Sequence, residues 1–206
     1  MNFRYFLFPA FSLVLCEDVV AEEMKFSVAA TGGNCNGCQW IAAEGTISGD
    51  TPRKFEEFIE KNGTYGRAVV FDSVGGDVIA AIQLGTMIRE RELWTSIGKT
   101  VAVPNFRPFQ KGRVSGRCAS ACALAFMGGV KRFALEWELG GMPIGCFNDP
   151  GFSESPQDPL KHTKAYVEKM GIDWASLCHS TLAASGDVYW FSRDDLRRFS
   201  LVTDNK

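Results

Sequence analysis

Segments typical of strands and of helices alternate along this chain, and this alternation limits the fold more than any other feature of the sequence. Short β-branched runs at residues 67–72 and 94–97 predict strands. Between them, apolar side chains recur at helical spacing from about residue 77 to residue 92. Strands separated by helices usually form parallel sheets joined by right-handed crossovers. The sequence therefore predicts an α/β fold with a parallel sheet core and packing helices.

The same reasoning predicts the remaining elements. Thr51 and Pro52 are a hydroxyl cap and a proline at the first helical position, and Asn62-Gly63 closes that helix. Ser192 and Asp195 have the spacing of a capping box. Further strands are expected at residues 26–30, 41–47 and 130–135 and near Ile144, further helices at 120–127, 159–170, 173–184 and 192–199, and an exposed loop at 104–116.

Length and composition exclude several classes of protein. A chain of 206 residues with 46% apolar residues is long enough for one domain with a sizeable core. The formal net charge of −2 leaves no basic excess to neutralise phosphates, and the longest basic run is Arg197-Arg198. We therefore expect no nucleic-acid partner.

The N-terminus has the pattern of a secretory signal peptide. Arg4 precedes an apolar run from Tyr5 to Cys16, and the small residue Ala21 follows. The apolar run is too short to cross a bilayer, which needs about 20 residues. We expect residues 1–21 to be a signal peptide and residues 22–206 to form one domain that is periplasmic or secreted, without stable membrane insertion.

Export affects the interpretation of the cysteines. An even set in an oxidising compartment favours disulfides, although six cysteines allow 15 pairings. A tetrathiolate zinc site at Cys35, Cys38, Cys118 and Cys122 is an alternative, and so is dithiol redox chemistry at Cys35 and Cys38. Structural disulfides are the preferred interpretation. The candidates are Cys35, Cys38, Cys118, Cys122, Cys146 and Cys178.

Two turns carry the candidate chemistry. In the first, Gly75 and Gly76 lie between a predicted strand and a helix, where backbone N–H groups can point at negative charge. In the second, Ser120 is flanked by small residues at another strand-to-helix junction, so its hydroxyl and the amide of Ala121 can face the same space. Side by side, the turns would make a nucleophile and an oxyanion hole. The alternative is that Ser120 only caps its helix.

An ordered set of motifs resembles the proteolytic subunit of the Clp protease, within the Clp/crotonase superfamily. The set is Ser73-Val74-Gly75-Gly76, then Ala119-Ser120-Ala121, then Gly129-Val130-Lys131-Arg132-Phe133. It is more similar still to exported Clp-subunit-like bacterial proteins with a Cys-x-Ser-Ala-Cys segment. The resemblance implies a Clp/crotonase-like spiral of ββα units. It also implies Ser120 as nucleophile, an oxyanion hole from Gly75 or Gly76 and Ala121, and Asp187 as the acidic triad member.

The chain departs from that pattern at the catalytic base. The family places a histidine about ten residues after the Lys-Arg-Phe strand, and here no histidine occurs between Phe133 and Lys161. Three replacements are open: His162, which we take as the candidate base, His179 or Cys146.

Two functions follow from the sequence. One is an exported, ATP-independent serine hydrolase of the Clp type that cleaves peptide or acyl bonds, with a peptidase as the preferred case. The other is an inactive relative that binds a peptide or protein partner. Neither needs a cofactor or a metal, and the family implies a possible homo-oligomer.

Overall fold

The computed structural model describes residues 22–32, 38–64, 66–103, 110–141, 159–182 and 187–203. The expected signal peptide, Cys35, the expected strand near Ile144, and Cys146 lie outside the described residues.

Ten strands and six α-helices make up the described chain. The strands are β1 Lys25–Ala30, β2 Gln39–Glu44, β3 Ala68–Asp72, β4 Trp94–Ile97, β5 Lys99–Ala102, β6 Lys111–Val114, β7 Cys118–Ala119, β8 Arg132–Phe133, β9 Leu139–Gly141 and β10 Tyr189–Trp190. The helices are α1 Thr51–Asn62, α2 Val78–Glu90, α3 Ala121–Met127, α4 Pro159–Lys169, α5 Ala175–His179 and α6 Arg193–Arg198, and one turn of 3-10 helix spans Ser180–Leu182.

The central sheet has five strands in the order β1-β2-β3-β4-β8. Its β2–β3, β3–β4 and β4–β8 pairs are parallel, whereas β1 pairs antiparallel with β2. Val69, Val70 and Phe71 of β3 are all fully buried, as expected for a strand covered on both faces. The predicted α/β fold with a parallel sheet and packing helices is confirmed.

A smaller sheet, β10-β9-β7, carries the strand that leads to Ser120. It is joined to β3 through a bridge between Ser73 and Cys118, where the Ser73 amide donates to the Arg117 carbonyl and the Ala119 amide donates to the Ser73 carbonyl. The two glycine- and serine-bearing turns are therefore held beside each other by backbone hydrogen bonds.

Three expectations about local structure were wrong in part. The expected loop at 104–116 contains β6, which pairs antiparallel with β5. The helix expected at 173–184 is the short α5 followed by the 3-10 turn. Thr51 is the first residue of α1, so Asp50 is its N-cap, and the Thr51 hydroxyl accepts a hydrogen bond from the Ser48 amide.

The remaining described helices agree with the prediction, including the capping box of Ser192 and Asp195 at the start of α6. Within the described ranges, no helix is long and apolar enough to cross a membrane.

Candidate functional site

Ser120 occupies a strained backbone turn between β7 and α3. Its φ of 56° and ψ of −129° lie in a region that a residue with a Cβ rarely adopts. Strain of this kind costs about 1–3 kcal/mol and is concentrated at functional sites. The Ser120 side chain is half-buried and makes no capping hydrogen bond to α3. The interpretation of Ser120 as a helix cap therefore has no support in the geometry.

Gly75 packs directly against this turn. Its φ is +105°, and a Cβ built on it would lie 2.8 Å from the Ser120 Cβ and 3.0 Å from the Ala121 backbone nitrogen. Such distances are shorter than real Cβ contacts, so only glycine allows the two turns to approach this closely. The glycine turn and the serine turn are therefore in direct contact at Gly75.

The amides at the two turns differ in their hydrogen bonding. The Gly75 amide donates to the Ser73 hydroxyl at 3.2 Å, so that donor is already engaged. Ala121 is the first residue of α3 and has no intrahelical acceptor for its N–H. In the described part of the chain, neither the Gly76 nor the Ala121 amide donates a hydrogen bond. Of the three amides expected in the oxyanion hole, the Gly75 amide is engaged, and those of Gly76 and Ala121 donate to no other described group.

A disulfide encloses the Ser120 turn. Cys118, in β7, is bonded to Cys122, in α3, and both side chains are fully buried. This bond rules out Cys118 and Cys122 as thiolate ligands of zinc, and no cluster of described histidine, cysteine or acidic residues could hold a metal. Cys38 and Cys178 each take part in a disulfide as well. The preferred interpretation of the cysteines is confirmed for Cys118 and Cys122.

His179 belongs to a polar cluster at the edge of the smaller sheet. Its Nε2 lies 3.0 Å from the Tyr189 hydroxyl and 3.5 Å from Asp195 Oδ1. Its ring also contacts Phe199, with centroids 5.2 Å apart. These contacts engage the imidazole within the packing of β10 and α6, which disfavours it as the base for Ser120.

The acid of this cluster is Asp195, and its carboxylate accepts several hydrogen bonds. Burial raises its pKa, but hydrogen bonds from Ser192 and Tyr189 and the nearby His179 outweigh that effect and lower the pKa below the ordinary value. In turn, burial and the Asp195 charge raise the pKa of Tyr189. The cluster therefore favours an ionised carboxylate beside a neutral phenol.

The other two expected catalytic side chains are exposed. Asp187 precedes β10, and its Oδ1 accepts a 2.8 Å hydrogen bond from the Val188 amide. His162 lies in the first half of α4 with its side chain exposed. Within the described ranges, Asp195 is the acid that lies against an imidazole. The sequence analysis identified Asp195 only as a capping residue, because nothing in the spacing of residues 179, 189 and 195 indicates that they meet.

Hydrogen bonds connect helix α4 with α3, the helix that follows Ser120. The Tyr166 hydroxyl donates a 2.8 Å hydrogen bond to the Leu124 carbonyl. One helical turn further on, Arg89 donates to the carbonyls of both Met127 and Met170. These contacts link α4 with α3 at the levels of Leu124 and Met127.

The chain was compared with known proteins. No protein-family model matches it, and no curated protein does. Among solved structures, it is similar to a serine-to-alanine mutant of the 1510-N membrane-bound stomatin-specific protease, with 14% identity over 78% of this chain and 75% of that chain and a TM-score of 0.44. A lysine-to-alanine mutant of the same protease, in complex with a substrate peptide, matches with 14% identity over 78% of this chain and 71% of that chain, also at a TM-score of 0.44. At this level of similarity, the activity of this chain has to be inferred from its own residues.

Proposed function

We propose that this chain is an exported, ATP-independent serine peptidase with Ser120 as its nucleophile. The observation that carries the proposal is the backbone of Ser120, which is held in a strained conformation against Gly75. A strained strand-to-helix turn presents a serine hydroxyl outward and turns the following amide toward the same space. A serine that only packed or capped would need neither the strain nor the close glycine.

In the proposed reaction, Ser120 Oγ attacks the carbonyl carbon of a peptide bond while a base takes the hydroxyl proton. The carbonyl oxygen gains negative charge, which the N–H groups of Gly76 and Ala121 stabilise. The base then gives the proton to the leaving amine, and water hydrolyses the acyl-enzyme by the same steps.

The proposed base is His162. The support for this choice is a hydrogen bond between the two helices: the Tyr166 hydroxyl, four residues after His162, donates to the Leu124 carbonyl, four residues after Ser120. Asp187 remains the proposed acid of the triad. Because His179 already contacts other side chains, we give it a structural role and not a catalytic one.

Cleavage of a mixed peptide library by the mature chain, followed by mass spectrometry, tests this proposal. We expect cleavage products with the wild type, none with Ser120→Ala, and a loss of at least about a hundredfold with His162→Gln. Lys161→Gln is the matched control, because it changes an exposed cation of the same helical turn. Cleavage by His162→Gln at the rate of the Lys161→Gln control would show that His162 is not the base. Cleavage that persists in Ser120→Ala would contradict the proposal itself.

The second candidate function is a non-catalytic protein that binds a peptide at the same turn. The favouring observation is the absence of any histidine between Phe133 and Lys161, where the family pattern expects the base. This alternative predicts that Ser120→Ala binds peptides as tightly as the wild type and that neither protein cleaves them.

A further inference from the structure

A cavity of about 550 Å³ opens at the carboxyl ends of two parallel strands. Ser96 and Ile97 at the end of β4 and Phe133 at the end of β8 line it. Ligands of open α/β sheets bind at the carboxyl edge of the strands. Neither Ser120 nor the glycine turn contributes to the lining of this cavity, so it needs a separate explanation.

The cavity has an excess of positive charge. Four arginines line it, namely Arg113, Arg132, Arg193 and Arg197, against the two acids Glu136 and Glu138. Glu138 is buried and already accepts hydrogen bonds from the Leu135 amide and the Ser115 hydroxyl. Among the described residues, no carboxylate forms an ion pair with Arg193 or Arg197. Two exposed guanidinium groups therefore remain available to an anion.

Arg132 adds a buried charge, and none of the described acids forms an ion pair with it. It is 4% exposed, and its guanidinium donates to the backbone carbonyls of Gly129, Met170, Ser200 and Leu201. Burial, and then the charge of Arg89, lowers the pKa of Arg132 to about 10, so it is still a cation at neutral pH. Its positive field in the cavity favours a negatively charged ligand.

Most of the remaining lining residues are apolar. Ile97 and Leu196 are buried, Phe133 and Val202 are partly buried, and Leu135 is 68% exposed. Inorganic phosphate would gain nothing from this surface, whereas a ligand with a hydrocarbon part would bury apolar area there. The planar guanidinium group also matches a carboxylate in two-point hydrogen bonding.

We propose that this cavity binds a carboxylate attached to a short apolar chain. The carboxylate lies toward Arg193 and Arg197 of α6, and the apolar chain lies against Phe133, Leu135 and Val202. Two sources share this chemistry, the C-terminal residue of a peptide and a free medium-chain fatty acid. The proposal does not depend on hydrolysis at Ser120, because binding can be measured without turnover.

Isothermal titration calorimetry of the Ser120→Ala protein tests the site while preventing cleavage of the probe. The probes are octanoate, a tetrapeptide ending in leucine with a free carboxylate, and the same tetrapeptide with an amidated C-terminus. We expect at least one acid to bind with a stoichiometry of one, and the amide to bind at least about tenfold more weakly than the acid peptide if that peptide binds. Binding of the acid peptide would identify a peptide terminus as the source, and binding of octanoate alone a fatty acid.

Substitutions of the arginines that line the cavity test where the carboxylate binds. Arg193→Gln/Arg197→Gln should weaken binding of the acid by about tenfold or more, since both side chains are exposed and their loss should leave the fold intact. Arg198→Gln is the matched control on the same helix, because its guanidinium lies over the Phe199 ring and does not line the cavity. Three results would overturn the proposal: no binding of either acid, equal binding of acid and amide peptides, or equal affinity in the double variant and the control.

Discussion

Cys118 is bonded to Cys122 across the turn that carries Ser120, and their Cα atoms are 5.2 Å apart. The bond links the last strand residues before the turn to the first turn of α3. Because both sulfur-bearing side chains are fully buried, solvent reductants have little access to them. Because the disulfide joins the two sides of the turn, it limits the conformations of the strained Ser120 backbone in the folded chain and in the unfolded chain.

Removing this cross-link with Cys118→Ala/Cys122→Ala should lower the free energy of unfolding by about 2 kcal/mol, the value that chain entropy gives for so short a loop. It should also reduce the reactivity of Ser120, because the turn loses a constraint. Urea unfolding followed by circular dichroism measures the first effect. Unchanged stability together with unchanged reactivity would show that the disulfide does not support the turn.

Gly75→Ala should disrupt the fold more than Gly63→Ala, although both glycines have a positive φ. The added methyl group would meet the Ser120 Cβ and the Ala119 carbonyl oxygen, both 2.8 Å away. Gly63→Ala is the matched control, since Gly63 has a φ of +71° but nothing within 4 Å of the added Cβ. We expect Gly63→Ala to cost about 1–2 kcal/mol for backbone strain alone, and Gly75→Ala at least about 1 kcal/mol more. Equal losses in urea unfolding would contradict the close approach.

Arg132→Met should destabilise the fold by about 3 kcal/mol, because four backbone carbonyls would lose a charged donor inside the protein. Arg198→Gln, an exposed change nearby, should stay within about 0.5 kcal/mol of the wild type. Urea unfolding of both variants checks the difference. A small effect of Arg132→Met would mean that water replaces the guanidinium at these carbonyls.

The acid stability of the fold should depend on Asp195. Its pKa in the folded protein lies below the ordinary value of 3.8, so its ionised form is favoured by folding. This contribution is fully present above pH values near 3.8 and is lost as the pH falls through the lower folded pKa. Between about pH 5 and pH 2, the stability of Asp195→Asn should therefore fall less steeply than that of the wild type. Parallel pH profiles would contradict the role given to this carboxylate.

The central sheet could be predicted because its signal is local. Residues 69–71 are apolar and β-branched or aromatic, and burial on both faces requires such a run. The start of α2 was likewise predictable, since Asp77 caps it by accepting a hydrogen bond from the Ala80 amide. In both places, the residue types that fix the structure lie within the element itself.

The smaller sheet shows where sequence reasoning fails. Strand β9 contains Gly140 and Gly141, which have low strand propensity, and it forms because β7 and β10 pair with it on either side. The Ser180 hydroxyl occupies the space that a Cβ on Gly141 would need, and this contact cannot be inferred from residues 39 positions apart. The contact of His179 with Asp195 depends on the same packing of α5, β10 and α6.

Covalent labelling tests most directly whether Ser120 is an activated nucleophile. The protein spanning residues 22–206 and its Ser120→Ala variant are treated with a fluorophosphonate, digested and mapped by mass spectrometry. We expect a single modified residue, Ser120, in the folded wild type and no modification in the variant or in urea-unfolded protein. Absence of labelling in the folded wild type, or equal labelling of the variant at another serine, would contradict the assignment of Ser120 as an activated nucleophile.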